Sequence, residues 1–172
     1  MLSEIFNPTR IKLNLESTTR TGVFEELVET IAGSDPEYNY GQMLEAVTLR
    51  ETKMNTVIMP GIAIPHGYYS AINGIVGAIG FSPAGIEYDV SGRESLPDAA
   101  VFTETSVSSQ APHESGLRNP VHLFFMLLMD DSSREKHLHV LSRLLYMINS
   151  TAFTGIRGTE SPQELYKILS SF

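Results

Sequence analysis

Five histidines are the side chains of this chain best suited to chemistry near neutral pH, and His66 is the most deliberately presented of them. It stands in Gly61-Ile62-Ala63-Ile64-Pro65-His66-Gly67. Ile62 and Ile64 alternate with Ala63 as a short strand would. Pro65 fixes its own φ and biases Ile64 towards extended backbone. Gly67 would let the chain turn sharply, or approach a ligand closely, directly after the ring. The pattern predicts a strand end that displays an imidazole. A neutral imidazole keeps a free ring nitrogen at physiological pH, because its ordinary pKa is about 6.5. That nitrogen could attack phosphorus and form a phosphohistidine, with the protein supplying position and charge neutralisation. Backbone N–H groups around Gly67 could hold the phosphoryl oxygens without a metal. A turn histidine with no role is the alternative that local chemistry leaves open.

Other chemistries fit less well. His137 and His139 are two residues apart, which on a helix sets them about 200° apart and stops them sharing a metal. No His-Glu-x-x-His is present, so neither a metal nor a cofactor is expected. The absence of cysteine excludes disulfides, thiolate catalysis and cysteine-ligated metals. No Gly-x-Ser-x-Gly elbow points to a serine hydrolase. Gly74, Gly77 and Gly80 recur every third residue, but match neither the dinucleotide pattern nor the P-loop; close packing of a neighbour explains them better. His137 lies four, seven and eleven residues before Leu141, Leu144 and Ile148, at the edge of an apolar stripe. Spacing alone favours a core-edge histidine satisfied by a backbone carbonyl. His139 is expected in solvent, His122 inside a buried strand with a structural role, and His113 solvated.

The elements that must position these groups alternate between strand and helix. Residues 11–16 read as a strand with Ile11, Leu13 and Leu15 on one face. A helix from about Thr19 to Ala32 carries Val23, Phe24, Leu27, Val28 and Ile31, and Gly33 stops it. A second, from Tyr40 to Glu51, buries Met43, Leu44 and Val47. Val57–Met59 and Ile62–Ile64 are short strands leading to His66. Gly74–Phe81 is another strand, with Ile86–Val90 as its hairpin tail or partner. Leu123–Met129 is apolar throughout and predicts a strand buried on both faces. Ser132 and Glu135 have capping-box spacing ahead of a helix over 134–149, with Leu138, Leu141, Leu144, Leu145 and Ile148 inward. Ser161-Pro162-Gln163-Glu164 opens a last helix with Leu165, Ile168 and Leu169 inward. The expectation is an α/β fold: one domain over residues 1–172, a mixed β-sheet flanked by helices, with an irregular excursion at about 93–118.

At 172 residues with 42% hydrophobic and 19% charged side chains, the chain can bury a substantial core. Twelve basic residues against 20 acidic ones give a formal charge of −8, which argues against nucleic acid and against an anionic membrane surface. No signal peptide is evident at the N-terminus and no apolar run approaches the ~20 residues of a membrane helix, so a cytoplasmic location is expected.

The histidine segment resembles the active-site signature of the fructose/mannitol-type enzyme IIA family of the sugar phosphotransferase system, which includes the nitrogen-regulatory enzyme IIA proteins. Leu49-Arg50-Glu51 followed by Thr56-Val57 is similar to the family's Arg-Glu…Thr segment, and His137-Leu138-x-x-Leu141-Ser142-x-Leu144 to its second-histidine helix. Pro120-Val121 before the apolar strand fits as well. The resemblance implies that His66 is the phosphorylated nucleophile, served by the phosphocarrier HPr or its nitrogen-type counterpart. It implies that His137 orients or stabilises the phosphoryl group, that Arg50 neutralises charge, and that Gly67 and Thr56 help bind phosphate. The phosphate would pass to a separate IIB, or would act as a signal to a regulated protein, the nitrogen-type role being slightly favoured. A regulatory module that binds partners without phosphorylation is the alternative. The excursion at 93–118 departs from the family's short connection.

Overall fold

The nine-residue strand β6 (Val121–Met129), apolar except for His122, is the axis of the sheet. The computed structural model describes residues 2–88, 120–151, 153, 159 and 161–172, so the excursion at 93–118 lies outside the described residues. Along one edge β6 pairs antiparallel with the long strand β5 (Ile75–Ile86), which pairs parallel with β1 (Phe6–Lys12). Along the other edge it pairs parallel with β3 (Ile62–Ala63) and then β4 (His66–Tyr68), while β2 (Val57–Met59) joins β3 as a hairpin. The order is β1-β5-β6-β3-β2, with β4 also on β6. Pro60-Gly61 makes the hairpin turn, and Gly61 takes the positive φ of 86° that the second turn position demands.

Helices cover both faces, which is why β6 needs no polar alternation. Phe124, Met126 and Leu128 pack with α2 (Arg20–Ala32) and α3 (Tyr40–Lys53), through Val23, Phe24, Leu27, Val28, Ile31, Met43 and Val47. Leu123, Phe125, Leu127 and Met129 face α1 (Leu2–Ile5), α4 (Arg134–Ile148) and α5 (Pro162–Leu169). Each large side chain buried this way contributes about 1.5–3 kcal/mol relative to exposure. Side-chain caps start the helices as the residue types suggest: Thr19 accepts from the Gly22 N–H, Asn39 from Gln42, and Ser161 from Glu164.

Four expectations are corrected. The first strand is Phe6–Lys12 rather than 11–16. Pro8 hides it in the sequence, and an edge strand with an irregular register between Phe6 and Ile11 tolerates that proline. The strand expected over Gly74–Phe81 runs on without a break to Ile86, while Asp89 and Val90 of the expected Ile86–Val90 piece lie outside the described residues. The Ser132–Glu135 capping box does not form: residues 131–133 make a 3-10 turn and Ser132 Oγ donates to Asp130 Oδ1 at 2.6 Å. Finally, the buried stripe of α4 is His137, Val140, Leu144, Met147 and Ile148, whereas Leu138 is 66% and Leu145 40% exposed. The stripe is rotated relative to the leucine pattern, and that rotation carries His137 into the interior.

Candidate functional site

The partners of β3 and β4 on β6 keep one register: Ile62 lies opposite Leu123, Ala63 opposite Phe124, His66 opposite Leu127 and Gly67 opposite Leu128. The chain therefore runs straight from Ile62 to Tyr68, and the turn expected after His66 is absent. Alternation along this extended stretch puts His66 on the face of Ile62 and Ile64, towards α4, and turns Gly67 towards α3. A Cβ on Gly67 would stand 2.7 Å from the backbone carbon of Ala46. The glycine is there to admit the helix. Among the described residues β2 pairs with β3 and no strand lies outside β4, so the sheet edge beside His66 is open.

Three predicted residues meet at this edge. Arg50, in the last turn of α3, donates from Nε to His66 Nε2 at 3.0 Å. The His66 and His137 rings approach to 4.9 Å between centroids, tilted by 48°. His66 Nδ1 lies 2.9 Å from the Ile64 carbonyl oxygen. These contacts settle the tautomer. A carbonyl only accepts and the Arg50 Nε–H only donates, so the proton is on Nδ1 and the lone pair on Nε2. Arg50 is itself braced, with Nη1 donating to the Met54 carbonyl at 2.9 Å.

Both rings are biased towards the neutral form. Burial is the main cause of a lowered His66 pKa, opposed by its bond to Ile64, with Arg50 lowering it and Glu51 raising it. His137 is pushed down to about 4, first by burial and then by His66 and Arg50. His137 is 7% exposed, and its Nε2 has no hydrogen-bond partner. The backbone carbonyl expected to satisfy that ring is not supplied to this nitrogen.

This arrangement has a pH signature. In the unfolded chain His137 takes a proton near pH 6.5, whereas in the folded protein it does so only near pH 4. Its stabilising contribution is fully present above pH 6.5 and is lost as pH falls through about 4, because the unfolded chain binds the proton first. The expected slope is up to about 1.4 kcal/mol per pH unit, and His66, shifted in the same direction, adds to it. Urea unfolding between pH 7 and 4 should show the loss, and His137→Gln should flatten the curve. An unchanged slope in that variant would mean that His137 is not held neutral by the fold.

Thr56 is placed differently from the expectation. It is buried, its N–H donates to Glu51 Oε1 at 3.1 Å and its hydroxyl to Glu51 Oε2 at 2.7 Å. Its donors are thus engaged inside the protein, and neither it nor Gly67 points a side chain at the ring. Glu51, which sequence reasoning left unused, is 5% exposed. Its only advance signal is its place in Leu49-Arg50-Glu51. Of the remaining histidines, His122 bonds the Ser82 carbonyl at 2.9 Å through Nδ1, in keeping with a structural role. Exposed His139 accepts from Arg143 Nε at 3.1 Å, and His113 lies outside the described residues. Among the described residues no cluster of three metal-ligating side chains occurs, and no helix is long and apolar enough to cross a membrane.

A mixed sheet covered on both faces by helices is an architecture shared with solved enzyme IIA proteins. The crystal structure of the nitrogen regulatory protein IIA-Ntr from Neisseria meningitidis superposes with a TM-score of 0.74 at 24% identity, covering 98% of each chain. Residues 4–172 match the family described as Phosphoenolpyruvate-dependent sugar phosphotransferase system, EIIA 2, and the chain belongs to that family. It is 24% identical over 169 residues to a Pseudomonas aeruginosa nitrogen regulatory protein, across 98% of this chain and 94% of that one. It is 28% identical over 143 residues to the fructose-specific EIIABC component of Bacillus subtilis. There it covers 83% of this chain and spans 19% of that longer protein. The chain is a phosphotransferase-system component with a phosphocarrier or regulatory role.

Proposed function

We propose that the protein accepts a phosphoryl group on His66 Nε2 from phosphorylated HPr or a nitrogen-type counterpart, in the cytoplasm, with residues 1–172 acting as one IIA unit. The observation that supports this most is the fixed tautomer: Nδ1–H on the Ile64 carbonyl and an unprotonated Nε2 at an open sheet edge. Attack by the Nε2 lone pair forms the new N–P bond as the donor's N–P bond breaks, and that electron pair returns to the donor imidazole. No proton has to leave His66 first. Arg50 moves from Nε2 to the phosphoryl oxygens, where its fork of donors suits phosphate. His137 Nε2, buried without a partner, recovers its desolvation cost by donating to one of those oxygens. Exposed apolar side chains on the elements carrying the site, Leu49, Met54, Tyr68 and Leu138, suit the docking of a protein donor.

Two uses of the phosphate follow. Passing it to the cysteine of a separate IIB would serve sugar uptake. Keeping it as a signal would set affinity for a regulated protein. The end-to-end match to a nitrogen regulatory protein supports the second use. Incubation with labelled phosphoenolpyruvate, enzyme I and HPr should label the wild-type protein, and addition of a IIB then separates the two uses. Binding to HPr without any label would leave only a module that works without phosphorylation.

A further inference from the structure

The buried carboxylate of Glu51 is linked to the proposed phosphoryl acceptor by hydrogen bonds joined through the backbones of Thr56 and Ile64. Thr56 donates twice to Glu51, from N–H to Oε1 at 3.1 Å and from Oγ1 to Oε2 at 2.7 Å. The Thr56 carbonyl accepts from the Ile64 N–H at 2.9 Å. The Ile64 carbonyl accepts from His66 Nδ1 at 2.9 Å. At the far side of the ring Nε2 accepts from Arg50, the neighbour of Glu51 on α3, at 3.0 Å. The contacts form a loop of residues: from Glu51 on α3 to Thr56, on through the backbone of Ile64 to the His66 ring, and back to α3 through Arg50.

We propose that Glu51 is a positioning residue for phosphoryl transfer, acting through Thr56 and the backbone of Ile64 to hold His66 in its Nδ1–H tautomer and aim Nε2. This rests on His66 being the acceptor. The coupling is positional: Glu51 fixes Thr56, the Thr56 carbonyl fixes the Ile64 N–H, and the Ile64 carbonyl so placed receives Nδ1–H. The negative charge of Glu51, which acts to raise the His66 pKa, also favours the positive charge that the ring gains when Nε2 bonds to phosphorus. Glu51 also anchors the α3–β2 corner mechanically, since one side chain captures both donors of Thr56 five residues on. Arg50 leaves the same turn of helix, so the corner that locks Glu51 also sets the guanidinium against Nε2. The charged and titratable groups facing the ring are Arg50 and Glu51 from α3 and His137 from α4. Of these, Glu51 alone is negative. Tyr88 stands beside Glu51, its phenol pushed far up by burial first and then by that carboxylate, so it supplies no competing charge.

Glu51→Gln keeps the shape, removes the charge and turns an amide N–H₂ against one of the two Thr56 donors. The readout is the nitrogen-15 NMR spectrum of the histidine rings across a pH titration, paired with the rate of labelling by phosphorylated HPr. The expected result is a His66 that titrates at lower pH than in wild type, shows mixed ring tautomers and takes label about 10-fold more slowly. Thr56→Val, which keeps the packing but deletes the hydroxyl arm, should give a smaller change in the same direction, and Thr56→Ser should restore wild-type behaviour. It also serves if Glu51→Gln does not fold. Unchanged tautomer, titration and rate in a folded Glu51→Gln or in Thr56→Val would overturn the proposal, and so would slower labelling with an undisturbed ring. If wild type takes no label, the phosphocarrier reading fails; the ring spectra still decide whether Glu51 governs His66.

Discussion

His66→Ala is expected to abolish labelling from phosphorylated HPr while leaving the fold intact. Loss of an essential nucleophile typically costs on the order of 10⁶ in rate, which is no detectable label in a practical assay. The competing acceptor inside the protein is His137, with its ring centroid 4.9 Å from that of His66. It is a poor substitute. His137 is 7% exposed where it rises from α4, so a docked donor cannot align its phosphorus with that ring as it can with one on an open strand edge. Arg50 also aims its guanidinium at His66 and is braced there by Met54, so a phosphoryl group on His137 would lack that neutralising charge. The fold should survive, because β4 is held by backbone pairing to β6 and His66 itself is only half-buried. Circular dichroism and HPr binding should match wild type. Label retained at a substantial rate would move the acceptor elsewhere, with His137 the first place to look.

The parts of this site differ in how well the sequence announces them. His66 was legible because proline and glycine frame it and two isoleucines lead to it. Its surroundings were not, because each depends on a contact between distant segments. Gly67 reads as a turn residue, yet the backbone continues straight and the constraint comes from Ala46 and Val47 on α3. Spacing did place His137 at the edge of the buried stripe, but four leucines set the wrong inward face for α4. Leu138 and Leu145 in fact face outwards, and the helix is turned to bring a histidine against the sheet. Glu51 looks like an ordinary solvated charge near a helix end. Only when the chain folds back from Met54 to Thr56 do two donors reach its carboxylate. Resemblance singled out Arg50 and His137 as candidates, whereas spacing alone favoured a core-edge histidine for His137 and left a helix-end salt bridge open for Arg50. The core was easier. The helix stripes of α2 and the two-faced burial of β6 were both visible, because burial on a scaffold follows local period and a site does not.

Gly67→Ala should be the most damaging small substitution near the site, and for a steric reason. The backbone strain that often explains glycine does not apply, since among the described residues the glycines with positive φ are Gly61, Gly74 and Gly85. A methyl at position 67 would lie 2.7 Å from Ala46 C, 2.8 Å from Val47 N and 2.9 Å from Ala46 O. All three are backbone atoms in the middle of α3, so no rotamer change relieves the contact and the helix must retreat as a body. Overpacking of this kind costs about 1–3 kcal/mol, and a rigid helix backbone favours the upper end. For a chain of this size that means a fall in Tm of about 5–10 °C. The functional effect should exceed what lost stability explains. Arg50 stands one helical turn beyond Ala46, so a retreat of α3 draws Nε from Nε2 and slackens the bond that orients the ring. Labelling should slow about 10-fold at a temperature where the variant is fully folded. Gly74→Ala is the informative contrast: its φ of 92° makes an alanine strained, but no atom lies within 4 Å of the added methyl. That variant should lose stability and keep its labelling rate. Equal rates for the two folded variants would mean that α3 does not transmit its position to His66.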